Sequence, residues 1–138
     1  MRQHHTVLVS LLLLSTLLVA SIEAKKVLVL ENDVEGVQNI TIHCRSKEED
    51  LGVHVLEPHQ SFQRELPNSL FIPNLYYCRF DWGGDAHWLD LNDYRYECPI
   101  CTNVVFGGCV ICRWSIKRNG PCLATNSKGS QRCYSWHK

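Results

Sequence analysis

The stretch Val110-Ile111-Cys112-Arg113-Trp114-Ser115-Ile116-Lys117 decides the fold class. Val110, Cys112, Trp114 and Ile116 occupy one set of alternate positions, and Arg113, Ser115 and Lys117 the other. Successive side chains of a pleated strand point to opposite faces, so this pattern predicts a strand with an apolar inner face and a polar outer one. Residues 37–44 alternate in the same way, with Ile40, Ile42 and Cys44 opposed to Asn39, Thr41 and His43. Further strand-like runs occupy residues 26–30, 53–56, 61–66, 75–82 and 87–91. Turn-forming residues separate them: Asp50-Leu51-Gly52, Pro58-His59, Pro67-Asn68, Gly83-Gly84-Asp85, Gly107-Gly108 and Asn119-Gly120-Pro121. Short strands at this spacing, with no helical period beyond residue 24, predict an all-β fold: a small antiparallel β-sandwich.

Ahead of the strands, Met1-Arg2-Gln3-His4-His5 leads into an apolar run from Val7 to Ala20, broken only by Ser10, Ser15 and Thr16. The run is shorter than the roughly 20 residues that span a bilayer, and the small residues Ala20, Ser21 and Ala24 follow it. These features read as a signal peptide over residues 1–24, cleaved after Ala24, with residues 25–138 as a single domain. All eight cysteines, at 44, 78, 98, 101, 109, 112, 122 and 133, lie beyond that point. An even count in a short exported chain is a disulfide framework, although eight cysteines allow about 105 connectivities.

Lys plus Arg equal Asp plus Glu at 14 each, so the formal charge is zero. Nothing in that balance suggests a nucleic-acid partner. The charges are segregated, however. Glu48, Glu49 and Asp50 are adjacent, and Arg113, Lys117, Arg118, Lys128, Arg132 and Lys138 follow the last acid, Glu97. Because the basic residues are spread through a cysteine-rich segment, a solvated face is the simpler reading, with an acidic partner as the sharper one.

Cys98-Pro99-Ile100-Cys101 and Cys109-Val110-Ile111-Cys112 form two C-x-x-C knuckles that thiolate zinc sites also use. Their separation is short for a zinc ribbon, and an oxidising compartment favours disulfides. A thioredoxin-like role would need a βαβ setting that is missing here. His43, His54, His59 and His87 could supply acid–base groups, but His43 and His54 fall on strand positions opposite the apolar set and read as surface or edge histidines. Hydrolase, zincin, phosphate-loop and EF-hand signatures are absent. The expectation is therefore no catalytic residue, no metal and no cofactor. Most of the aromatics Tyr76, Tyr77, Phe80, Trp82, Trp88, Trp114, Tyr134 and Trp136 alternate along strands and read as core. Asn39-Ile40-Thr41 is a glycosylation sequon whose acceptor, Asn39, faces away from Ile40 and Ile42, where a glycan would stay in water.

The block from His43 to Leu56, His-Cys-Arg-Ser-Lys-Glu-Glu-Asp-Leu-Gly-Val-His-Val-Leu, resembles the signature of the plant self-incompatibility S-protein homologues. Tyr77-Cys78-Arg79-Phe80-Asp81-Trp82, His87-Trp88-Leu89-Asp90, Cys109 to Ile116, Asn119-Gly120-Pro121-Cys122 and Cys133-Tyr134-Ser135-Trp136 follow in the family's order. The resemblance implies a small secreted β-sandwich without enzymatic activity that acts as a ligand or recognition protein. In the founding members a stigma-secreted protein is sensed by a pollen membrane partner. It also matches Cys44, Cys78, Cys109, Cys112, Cys122 and Cys133 to family cysteines. Cys98 and Cys101 have no counterpart and lie in a segment, residues 93–108, that is expanded here; they either pair with each other or rewire the neighbouring bridges. Cys122 with Cys133 is the favoured single pair, since Gly120-Pro121 and Lys128-Gly129 can turn the chain back between them. Pro58-His59, Gln63-Arg64-Glu65 and Phe71-Ile72-Pro73-Asn74 depart from the family pattern.

The sequence thus predicts an extracellular monomer, not stably inserted in a membrane, that binds a cell-surface protein such as a receptor on pollen or another plant cell. Polar loops on a rigid sandwich are the natural contact sites, and Lys47, Glu48, Glu49 and Asp50 form the first candidate, with Trp82 to Asp85 the second. Two other classes compete: a defence or antimicrobial protein that turns its basic C-terminal segment on anionic membranes, and a secreted hydrolase.

Overall fold

The alternating segments become the strands of two stacked sheets. A computed structural model describes residues 10–11, 24–37, 39–68, 75–91, 98–99 and 109–136. Within them nine strands follow one another: β1 (Ala24–Asn32), β2 (Ile40–Arg45), β3 (Asp50–Leu56), β4 (Ser61–Asn68), β5 (Tyr77–Trp82), β6 (Asp85–Asp90), β7 (Cys109–Lys117), β8 (Gly120–Ala124) and β9 (Gln131–Cys133). One sheet has the order β4-β1-β7-β8-β9 and the other β3-β2-β5-β6. The expected leader, apart from Ser10, Leu11 and Ala24, lies outside the described residues, as do Cys101 and residues 71–74.

The apolar stripes read from alternation meet between the sheets. Ile40, Ile42 and Cys44 of β2, Cys78 and Phe80 of β5, Leu28 and Leu30 of β1, and Cys112, Trp114 and Ile116 of β7 are all buried in one core. Truncating a side chain as large as Phe80 or Trp114 at such a site costs about 3–5 kcal/mol.

Three features differ from the sequence expectation. First, β1 pairs parallel with β7, from Lys25 opposite Cys109 to Asn32 opposite Ile116, and antiparallel with β4 on its other side. Flanked on both edges, β1 is an interior strand, although only three of its residues, Leu28, Val29 and Leu30, form a continuous buried run. Second, β8 and β9 carry little alternation and a proline, Pro121, and they form by pairing antiparallel beside β7. Third, the faces of β3 are reversed. Gly52, which reads as a turn residue, sits inside β3 at φ 84°, and the β2–β3 register shifts between His43 and Arg45. Such a bulge re-aims the residues that follow. Val53 and Val55 consequently face solvent, at 62% and 57% exposure. His54 pairs with the inward-facing Ile42 and lays its ring 4.5 Å from Phe62 of β4, with Nε2 2.8 Å from the Leu51 carbonyl. The expectation of His54 as an outward-facing histidine is therefore corrected.

Three disulfides are seen among the described residues. Cys44–Cys78 joins directly opposed positions of β2 and β5, and Cys122–Cys133 does the same for β8 and β9. Cys98 bonds to Cys112 of β7, so its partner is not Cys101. Closing loops of 34, 14 and 11 residues removes roughly 3–4 kcal/mol of unfolded-chain entropy per bridge in the chain-entropy account. The first and third bridges lock strand registers within a sheet; neither joins one sheet to the other.

One sheet-to-sheet connection is made by polar groups at the β3–β4 crossover. Asn32, at the end of β1, is 1% exposed. Its Nδ2 donates to the Leu56 carbonyl at 3.0 Å, and its Oδ1 accepts the Val34 N–H at 3.2 Å. Its own N–H donates to the Gln60 carbonyl, and its carbonyl accepts the His59 N–H at 2.7 Å. Replacing Asn32 with Leu strands the Leu56 carbonyl and the Val34 N–H in the core. At about 1–3 kcal/mol for each of these two unsatisfied buried groups, urea unfolding of N32L should show a loss of about 2–6 kcal/mol.

Candidate recognition surface

The loop between β2 and β3 stands on a small buried scaffold. Ser46 is buried, its N–H donates to the Glu49 carbonyl at 2.7 Å, and its Oγ accepts the Glu49 N–H at 3.0 Å. A Ser that folds its side chain back onto a backbone N–H three residues on closes a tight turn. Beneath it the buried Tyr76 hydroxyl donates to Glu49 Oε2 at 2.6 Å. Burial, and then the adjacent Glu49 carboxylate, push the Tyr76 phenol up to about 12. At the far end, Asp50 Oδ1 accepts the Gly52 N–H at 2.8 Å and lies 2.7 Å from His43 Nε2. The Gly52 N–H first, and His43 second, hold the Asp50 carboxyl below its usual range.

The four residues expected to act in recognition thus divide by role. Glu49 and Asp50 spend their carboxylates on holding the loop, whereas Lys47 and Glu48 are exposed on the same loop. Sequence reasoning found the loop but not its support, since Tyr76 reads as an ordinary core aromatic 27 residues from Glu49.

The second candidate, Trp82 to Asp85, is the β5–β6 hairpin turn. Trp82 is only 7% exposed, with its ring stacked 4.0 Å from His87 and 6.0 Å from Trp136. Trp136 Nε1 donates to the Lys117 and Arg118 carbonyls, which straps the C-terminal segment across this end of the sandwich. Trp88 is the exposed aromatic, at 41%, on the outer face of β6. Arg79 lies 5.4 Å over its ring, and Arg45 the same distance over Tyr77. Asn39 is exposed directly before β2.

The histidines do not converge on a shared site. His43 turns outward to Asp50, His54 inward to Phe62, and His87 lies on Trp82. His59 Nδ1 is 3.0 Å from Asp33 Oδ1, and the Ser115 hydroxyl donates to the other oxygen of the same carboxylate. Asp33 stands between the two, so the imidazole has no hydrogen bond to the hydroxyl and the trio is not a nucleophile–base pair. Burial raises the Asp33 carboxyl, but hydrogen bonds from Ser115 and His59 outweigh it, and the net direction is down. Its neighbour Glu31 moves up, through burial first and the Asp33 charge second. These groups line an open groove of about 520 Å³ together with Glu35, Arg113 and Lys117. The basic residues of β7 therefore lie among acids of β1 and its following loop. Cys98 and Cys112 are joined to each other, so neither sulfur is available as a zinc thiolate. No helix among the described residues is long and apolar enough to cross a membrane.

The two-sheet sandwich is a fold shared with known plant proteins. The profile of plant self-incompatibility protein S1 matches residues 27–136. The chain belongs to this plant self-incompatibility S1 family. It is 35% identical to S-protein homolog 29 of Arabidopsis thaliana over 115 residues, covering 83% of this chain and 79% of the relative. S-protein homolog 2 of the same plant is 30% identical over 116 residues, 83% and 70% of the two chains. A solved structure of a self-incompatibility protein homologue, described as one of a widespread family of small, highly stable, secreted plant proteins, superposes with a TM-score of 0.56. It is 15% identical, and the match covers 84% of this chain and 97% of that one, so the likeness is one of fold.

The loop scaffold makes a spectroscopic prediction. A folded-state phenol raised from 10 to about 12 adds stability that is complete below pH 10 and is lost as pH rises through about 12. Ultraviolet difference titration should show one tyrosine ionising near 12. Tyr76→Phe should abolish that step, and Glu49→Gln should move it to lower pH.

Proposed function

We propose that the chain is exported after removal of residues 1–24 and acts as a non-enzymatic ligand that a protein on a cell surface recognises through the β2–β3 loop. The observation that carries this reading is the division of labour in the loop. Ser46, Glu49, Asp50 and Tyr76 hold the backbone, so Lys47 and Glu48 are presented at a fixed position with little ordering left to be lost on binding. Family membership supports a recognition role, and the secreted relative of the same fold supports export. The three disulfides suit an oxidising compartment.

The membrane-active alternative draws less support. Arg113 and Lys117, two cations of the basic segment, share a groove with Glu31, Asp33 and Glu35, which offsets the attraction to an anionic bilayer. The hydrolase alternative is weakened by the separate partners of the histidines.

The test is saturable binding of labelled protein to plant cells that respond to it. Lys47→Ala with Glu48→Ala should weaken binding at least tenfold while the urea midpoint stays unchanged, because neither side chain supports the fold. Unchanged binding would remove the loop from recognition. Leakage of anionic vesicles at low salt would favour the membrane reading instead.

A further inference from the structure

The reversal of β3 leaves an unusual strand edge. β3 ends the four-stranded sheet, and among the described residues no strand pairs with its other side. An unpaired edge presents a row of backbone donors and acceptors, which proteins ordinarily protect with charged side chains, proline, a bulge or brevity; on β3 the bulge lies at the start, and residues 53–56 pair regularly with β2. Two of the other edges carry such protection: β4 contains Arg64, Glu65 and Pro67, and β9 has three residues. β6 begins and ends on an aspartate, Asp85 and Asp90. From Leu51 to Leu56, β3 has neither proline nor a lysine or arginine, and it turns Val53 and Val55 to water. On the inner side of the edge, His54 and Phe62 form a half-buried apolar margin.

Charge distinguishes the possible occupants. Across Arg45 to Asp50 two cations, Arg45 and Lys47, face three acids, Glu48, Glu49 and Asp50, a balance of one negative charge. Glu57 adds another just past the other end. A second copy pairing antiparallel about Val53 would set Glu49 opposite Glu57 twice, and like charges directly opposed across strands are destabilising. An added strand with basic ends meets the opposite sign at both.

We propose that the free edge of β3 accepts an extended segment of a partner protein as an added antiparallel strand, β-branched or apolar opposite Val53 and Val55 and basic at both ends. Main-chain pairing supplies the affinity, and the alternate side chains beside the two valines supply the selection. The site is continuous with the loop tip at Lys47 and Glu48 through Asp50, so a partner could engage both. The proposal rests on the reading of the chain as a recognition protein, but it is tested separately from it.

The probes are the peptides Lys-Thr-Val-Thr-Val-Thr-Lys and Glu-Thr-Val-Thr-Val-Thr-Glu, titrated into the isotopically labelled, oxidised protein. The basic-ended peptide should shift and slow the exchange of backbone amides in residues 52–56 and bind at least tenfold more tightly than the acidic one. Val53→Asp with Val55→Asp should lower its affinity at least tenfold with the urea midpoint retained. Val53→Thr with Val55→Thr, which keeps β-branched side chains, should retain strand pairing and provides the comparison should the Asp variant fail to fold. Protection at another strand, equal binding of the two peptides, no binding, or a concentration-dependent dimer occupying the same amides would overturn the proposal. The peptide titration needs no cells and the cell-binding assay needs no peptide, so failure of the loop in cell binding and failure of the edge in peptide binding are separate results.

Discussion

The side chain of Asn32 is the point on which the two sheets depend. A buried primary amide has two donors and an acceptor to satisfy, and leaving them unpaired in a core costs more than the bonds return when made. Here the amide reaches the Leu56 carbonyl at the end of β3 and the Val34 N–H, while the backbone of Asn32 itself holds His59 and Gln60. The last residue of an interior strand thereby fixes where the chain leaves one sheet and enters the other. The neighbouring Asp33 extends the tie, since its carboxylate accepts from Ser115 of β7 and lies beside His59 in the crossover. Because the disulfides of β2–β5 and β8–β9 act within sheets, the tie between sheets rests on this polar junction, on the apolar core, on the Trp136 strap and on the Cys98–Cys112 bridge from the segment after β6 to β7.

Much of the architecture was legible wherever one face of a strand is buried and the other wet. Ile40, Ile42 and Cys44, and Cys112, Trp114 and Ile116, alternate because the sandwich has water on one side of them. That logic weakens where burial is continuous or the strand is short. In β1 the buried run Leu28-Val29-Leu30 has no alternation from which to infer parallel pairing with a strand some 80 residues later. β8 and β9 owe their existence to β7 and to the Cys122–Cys133 bridge rather than to any local preference. The error at β3 came from one residue. Gly52 reads as a turn, yet it supplies the positive φ that shifts parity, so the polar His54 turns in and two valines turn out.

The candidate site was half legible for a related reason. A run of acids between two strands announces an exposed loop, but which acids are spent on holding it depends on tertiary partners. Tyr76 contributes through a hydroxyl that composition cannot place, and Asp50 through a hydrogen bond to Gly52 at the bulge. One conformational feature therefore shapes both neighbouring surfaces: it anchors the loop at Asp50 and exposes the edge that follows.

The parallel pairing of β1 with β7 bears on how the molecule is made. The strand nearest the N-terminus occupies an interior place in its sheet, yet one of its two neighbours lies in the last third of the sequence. During synthesis β1 emerges early and can pair with β4, but its second edge stays open until residue 117 has followed. Contacts of such long sequence separation slow folding. The interval also coincides with the appearance of most of the cysteines, so the chain gains the means to form wrong bridges before its central sheet is complete. Folding of this domain is thus completed late in synthesis, when strand register can select the sulfurs that meet.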